Sequence, residues 1–290
     1  MQGFACVRAK CAALRLLVPD DAWPQFEEWH SHSEPVAHHC SIAFAAFLRG
    51  HLARITAPIH KFLLSASGQP SQGVRNQYLQ DLQERWMYRA DPLDRHKKFR
   101  MFMGRVAELQ VAEWLQDRGW AITGLEALRE GPDIEADAPR PAEGAAAFEI
   151  KFIGAEDADF SQVVQVIAGE SATESVSPYA ASNYLLFKAF EASKQFANTS
   201  GRRICVVVVD DLAWWRFDCV VANDWIDWSA PSFLQADESW TQFLEAQVQK
   251  HPNLHTDLRK QIDSLDEIWL LRRGFGYEYH RVRNLLPHGA

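Results

Sequence analysis

An α/β fold, with a mixed sheet flanked by helices and a helical region ahead of it, is the fold class this sequence predicts. Three observations carry that expectation. The stretch RICVVVVD (Arg203–Asp210) is a continuous apolar run rich in β-branched residues, the pattern of a strand covered on both faces. The stretch AAFEIKFIG (residues 146–154) alternates apolar and charged side chains after Phe148, as a strand with two different faces does. From residue 101 onward, the elements read in the order helix, three strands, helix, strand.

Taken in order, residues 1–100 read as a helical recognition or partner region. Ala/Leu/Phe-rich patches near residues 41–64 and 76–90 flank the turn-forming stretch SASGQPSQG. Six histidines crowd its first sixty residues without the paired spacing and carboxylate of a helix-borne metal site, so they read as solvated or packed imidazoles. Residues 101–290 form the second expected region. It opens with a helix over Met101–Arg118, ended by Gly119 where a helix C-terminus favours glycine. Strands are expected at Trp120–Leu125, in PDIEAD after the turn EGP, and in AAFEIKFIG after the loop APRPAEGA. Helices are expected at Phe160–Ala168 and Ser182–Ala197, before the apolar strand. Further strands are expected at Trp214–Val221, Glu267–Arg273 and Tyr277–Arg283, with a helix at Ser232–Lys250.

With 290 residues and 47% hydrophobic content, the chain can bury a real core. No apolar run is long enough to span a bilayer, and Cys11–Val18 is broken by Arg15 and lacks a small-residue cleavage site. Five scattered cysteines with no CxxC pair suggest neither a disulfide framework nor a zinc ribbon. A cytoplasmic protein without a membrane partner is the expectation.

A net charge of -8 excludes a simple nucleic-acid coat protein, because such binding rests on cations neutralising phosphates. The distribution of charge is more informative than its total. Residues 85–105 hold seven Lys/Arg against two Asp, whereas residues 106–290 hold sixteen against twenty-nine Asp/Glu. Lys97, Lys98, Arg100 and Arg105 lie in that basic segment with Trp86, Tyr88, Phe99 and Phe102, a mixture suited to binding phosphates and stacking on bases. The same run also reads as a solvated helix face or linker.

Residues two apart on a strand share a side, so Glu149 and Lys151 project together, opposite Phe148, Ile150 and Phe152. Asp133 and Glu135 share one side of PDIEA. If the two strands pair as a hairpin, the carboxylates of Asp133 and Glu149 converge. Two carboxylates suit a hard cation such as Mg²⁺ or Mn²⁺, which polarises a phosphate and lowers the pKa of water. A lysine beside them can orient that water and offset charge building in the transition state. Glu108 has Gly104, Arg105, Val111, Ala112 and Leu115 as helix neighbours, so it faces the sheet rather than solvent. On such a face it needs a partner, either a metal or a cation such as Arg105. Among nine lysines, acid-x-Lys occurs once, at Glu149-Ile150-Lys151, and Pro-Asp occurs twice, once in the strand just before it.

At these residues the chain resembles the PD-(D/E)xK, or restriction-endonuclease-like, nuclease superfamily, over about Gly104–Val209. The resemblance implies a restriction-endonuclease-like core with metal at Asp133 and Glu149, water assistance by Lys151, and Glu108 as the acidic residue of the first helix. It makes Gln162, Gln165, Lys188 and Lys194 second-tier candidates on the helix after the third strand. It implies a Mg²⁺-dependent endonuclease or related hydrolase, DNA-binding ahead of RNA-binding, acting in defence against foreign DNA or in repair. A homodimer or a protein partner reached through the N-terminal region is also implied. From a different class, the same fold fits a catalytically silent binding or scaffold protein, motivated by the acidic C-terminal portion.

Overall fold

In the computed structural model, the described residues are 57–64, 71–85, 95–125, 131–154, 178–196, 199–210, 213, 214, 217, 264–272 and 278–284. The chain divides into two compact units, Met1–Ala127 and Leu128–Ala290. The helix expected to open the second region therefore belongs to the first unit.

The described part of the first unit is mostly helical, as its composition predicts. A π-helical turn spans His60–Leu64, and two α-helices follow, α1 at Gln72–Glu84 and α2 at Arg95–Asp117. At the start of α1 the Ser71 hydroxyl accepts the Val74 N–H, meeting one of the donors a helix leaves unpaired. Arg75, Tyr78 and Leu82 form the buried row of α1, at the spacing that keeps side chains on one face. Helix α2 begins six residues before Met101 and buries nearly every residue from Phe102 to Leu115. It stops as expected at Gly119, whose φ of 84° is open to glycine at little cost. There Gly119 N–H donates to the Gln116 carbonyl and Trp120 N–H to the Leu115 carbonyl, the paired bonds of a Schellman end. Strand β1, Ala121–Leu125, completes the unit.

The second unit holds a five-strand mixed sheet in the order β2, β3, β4, β5, β6. These are Ile134–Asp137, Ala145–Ile153, Arg202–Val209, Glu267–Arg272 and Glu278–Asn284. Strands β2 and β3 form the expected antiparallel hairpin, with Ile134 opposite Phe148. Strands β3, β4 and β5 run parallel, and β6 returns antiparallel to β5. Helix α3, Pro178–Ser193, precedes β4 and packs on β3 and β4. Strand β4 is central, and all six residues Ile204–Val209 are buried, as the unbroken apolar run predicts. On one face Phe148 meets Trp269 at a ring separation of 5.3 Å. Buried Glu267 ties the starts of β4 and β5, accepting from Arg202 and from the Trp269 indole N–H at 2.7 Å.

Entry into β4 depends on Gly201, with φ +95°, where an added Cβ would lie 2.6 Å from the Ala145 carbonyl oxygen. The Gly201→Ala variant should lose about 1–3 kcal/mol of stability in urea unfolding, because both the backbone conformation and the β3 approach become strained. Unchanged stability would show that neither constraint is felt.

The strand expected at Trp214–Val221 is corrected at its start. Phe217 N–H donates to the Trp214 carbonyl at 2.7 Å, a helical turn rather than extended chain. Both neighbouring positions beside β4 are already taken by β3 and β5, so a strand returning directly onto it has no edge to join. The helices expected at Phe160–Ala168 and Ser232–Lys250, and all of residues 1–56, lie outside the described residues. No described helix is long and apolar enough to cross a membrane.

Candidate active site

The hairpin of β2 and β3 brings the acid and the acid-x-Lys motif together. Asp133 sits one residue before β2, and since Ile134 faces Phe148 across the hairpin, Asp133 stands next to the Glu149 end of the pair. Its Oδ2 accepts the Ile150 backbone N–H at 2.7 Å, so the carboxylate is fixed to β3 by the strand's own amide. Glu149 and Lys151 share a face, and Lys151 Nζ lies 2.6 Å from Glu149 Oε1. The expected convergence of Asp133, Glu149 and Lys151 is therefore observed.

Burial decides the electrostatics. Glu149 is 4% exposed, and its carboxyl is held between Lys151 and Asp133, with a hydrogen bond to each. Loss of water pushes the Glu149 carboxyl up to about 8, and the negative charge of Asp133 pushes the same way. The ion pair with Lys151 pulls it down and is outweighed. For Lys151, burial works against the charge, yet the charge and hydrogen bond of Glu149 hold its ammonium above the ordinary lysine range. Two carboxyl groups pressed together in a site largely shielded from water make an arrangement in which ionising both costs stability and which a cation would relieve.

The donor set suits a hard cation. Among the described residues, no group of three or more His, Cys, Asp or Glu is placed to hold a metal ion. Mg²⁺ needs fewer, because it keeps several waters and takes one or two carboxylates from the protein. The buried Glu149 carboxyl and the adjoining Asp133 meet that demand.

Cys205 is a member of this neighbourhood that the sequence did not single out. It pairs in register with Glu149 on parallel β4 and is fully buried. Burial raises its thiol pKa, so it remains a neutral thiol beside the charged groups. Within RICVVVVD nothing distinguishes it; only the parallel register sets it beside the carboxylate.

The remaining expected residues are placed as follows. Glu108, on α2, accepts from the Tyr78 hydroxyl at 2.9 Å and from Arg105 Nη1 at 2.6 Å, the cation partner anticipated as the alternative to a metal. Arg105 is itself buried, and its Nε donates to Asp81 at 2.7 Å. Burial opposes the Arg105 charge, but Glu108, Tyr78 and Asp81 hold it strongly protonated. This guanidinium is thus an internal group of the first unit rather than one presented to phosphate. Tyr78 went unnoticed in the sequence because it lies thirty positions from Glu108. Phe102, expected to stack on a base, is 2% exposed and belongs to the core. Lys97 and Arg100 are exposed and Lys98 is half-buried near the Glu84 carbonyl, so these three do form a cationic stretch at the start of α2. Trp86 and Tyr88 lie outside the described residues.

On α3, which packs on β3 and β4, Lys188 is 2.8 Å from Glu191. Lys194 instead lies over the Phe190 ring at 4.1 Å. Gln162 and Gln165 are outside the described residues. No family model matches the chain, and no curated protein or solved structure matches it.

Proposed function

We propose that this chain is a metal-dependent nuclease that hydrolyses phosphodiester bonds, DNA ahead of RNA, in defence against foreign DNA or in its repair. The observation that carries this reading is the convergence of the buried Glu149 carboxyl with the Asp133 carboxylate, with the Lys151 ammonium against one oxygen of Glu149. The likeness of this trio to the PD-(D/E)xK pattern supports it.

Asp133 and Glu149 would hold the cation, Mg²⁺ or Mn²⁺, which when bound polarises a phosphate and makes hydroxide available near neutral pH. Asp133 is oriented for that task by the Ile150 N–H, so its position is set before substrate arrives. Lys151 reaches the site from the same strand and is kept protonated by Glu149. It offsets the negative charge that grows on phosphate oxygens as the bond breaks, and it orients the attacking water. The apolar body of β3 and β4 beneath these groups limits competing solvent and strengthens each charge interaction.

Labelled single- and double-stranded DNA and RNA, incubated with the purified chain and Mg²⁺ or Mn²⁺, test the reading. Metal-dependent cutting supports it and identifies the nucleic acid. If neither cutting nor metal binding occurs, the reading falls and a nuclease-fold scaffold takes its place.

The basic start of α2 leads to a separate expected result. Neutralising Lys97, Lys98 and Arg100 together should weaken nucleic-acid binding and reduce the steepness of its salt dependence by about 0.7–0.9 for each phosphate no longer neutralised. Filter binding across a salt series measures this, and a parallel salt dependence removes the segment from the binding surface.

A further inference from the structure

We infer that Arg203 grips a phosphate flanking the one being cut, and so sets how the nucleic-acid strand lies over the site. This rests on the reading of Asp133, Glu149 and Lys151 as a nuclease site.

Two arginines open β4, and the alternation of a strand sends them to opposite faces of the sheet. Arg202 is taken up by the fold, in ion pairs with buried Glu267 and, at 3.8 Å, with Glu143. Arg203 lies on the other face. In the parallel register Ala147 is beside Arg203, Glu149 beside Cys205 and Lys151 beside Val207, so Arg203 shares the face that carries Glu149 and Lys151. It stands one strand over and two residues back from Glu149, about 4.8 Å across and about 6.6 Å along.

The surroundings open the path between the two residues. Positions 147, 149, 203 and 205 form one cell of the sheet face, and the corners other than Glu149 and Arg203 are Ala147 and Cys205, both small. No bulky side chain of β3 or β4 therefore stands between the arginine and the glutamate. On the β5 side, Asp266 fixes the backbone of Arg203 from two directions, its Oδ2 accepting the Arg203 N–H at 2.7 Å and its N–H donating to the Arg203 carbonyl at 2.9 Å. Arg203 is half-buried with its Nε enclosed, so the guanidinium lies against the protein rather than out in water. Part of its conformational freedom is lost before substrate arrives.

A guanidinium stays charged at any working pH and presents a planar fork of donors that matches two oxygens of a phosphate. The cation and Lys151 serve the phosphate being cut. A second positive group one cell of the sheet away meets the next phosphate of the same strand and fixes its register on Asp133 and Glu149. Such a contact is made equally in the bound substrate and in the transition state, so its loss raises KM and spares kcat.

Steady-state cutting of DNA by the full chain, together with filter binding across a salt series with Ca²⁺ in place of Mg²⁺, tests the inference. Arg203→Ala should raise KM about 10-fold or more with kcat within about 3-fold of wild type. It should also lower the salt slope of binding by about 0.7–0.9, the share of one phosphate. Arg203→Lys, which keeps the charge, should keep the slope, and so should Arg202→Gln, which removes a positive charge from the opposite face. Arg203→Gln repeats the measurements if the Ala variant does not fold. Unchanged KM and slope in the folded Arg203 variants, or an equal loss of slope in Arg202→Gln, overturn the inference and leave the nuclease reading standing. A wild type that binds DNA with this Arg203-dependent slope but never cuts it sinks the nuclease reading alone, and one that neither cuts nor binds overturns both.

Discussion

Asp133→Asn should cut nucleic acid at least about 10³-fold more slowly than wild type, and Lys151→Ala about 10²–10³-fold more slowly, with circular dichroism unchanged in both. The two losses have different origins. An asparagine at 133 retains an oxygen that can accept the Ile150 N–H, now 2.7 Å from the aspartate, so the hairpin keeps its anchor. What disappears is a negative charge beside Glu149, and with it a cation ligand. In Lys151→Ala the two carboxylates remain and the cation still binds. The missing group is the ammonium 2.6 Å from Glu149, which on the proposed mechanism would act on the developing charge of the transition state. Cutting by either folded variant at the wild-type rate would remove this trio from catalysis. Cutting retained in Lys151→Ala alone would leave the cation site and reassign the lysine to structure.

The second large effect is on stability. Metal-free Glu149→Gln should be more stable than wild type above neutral pH, by roughly 2–4 kcal/mol near pH 8 and by much less near pH 5. The sign follows from the carboxyl. Its value is raised in the folded chain to about 8 from the ordinary 4.5, so between those limits the folded state holds a proton that the unfolded state has released. Folding stability in wild type therefore falls as pH rises through that window, by at most about 1.4 kcal/mol per pH unit, and the loss is complete above the folded value. Glutamine cannot titrate. Its amide oxygen can take the Lys151 ammonium, and its amide N–H₂ can face Asp133 where two carboxylates would repel. Urea unfolding in the presence of a chelator, from pH 5 to 8, measures the difference. Parallel profiles for the two proteins would mean that Glu149 ionises without strain in the folded chain. The same variant should bind Mn²⁺ poorly, so a gain in stability would accompany a loss of function, as expected where an active site stores unfavourable charge.

Much of the local architecture was legible in the sequence. The alternation in AAFEIKFIG set Glu149 and Lys151 on one side of a strand, because successive side chains on an extended chain must point to opposite faces. RICVVVVD specified a central strand, since no run so apolar can leave one face in water. Gly119 marked the end of α2, where the backbone enters a conformation that other residues adopt only at a cost. That Asp133 meets Glu149 was conditional on the two strands pairing as a hairpin, and that pairing is seen in the structure.

Other features needed the tertiary structure, because they depend on which distant segment comes to lie alongside. Trp214 has the residue type of a strand, but the neighbouring positions at β4 were already filled, and the chain turned instead. Glu108 found Tyr78 and Arg105, and no spacing rule links a glutamate to a tyrosine on another helix. The parallel register set Cys205 beside Glu149, a relation that neither strand encodes alone. By itself, the sequence determined which side chains share a face, because that is fixed by the period of the local backbone. Only the tertiary structure decided how deeply Glu149 is buried and which groups its carboxyl meets, because desolvation and pairing are set by every segment packed around a residue, not by its neighbours along the chain.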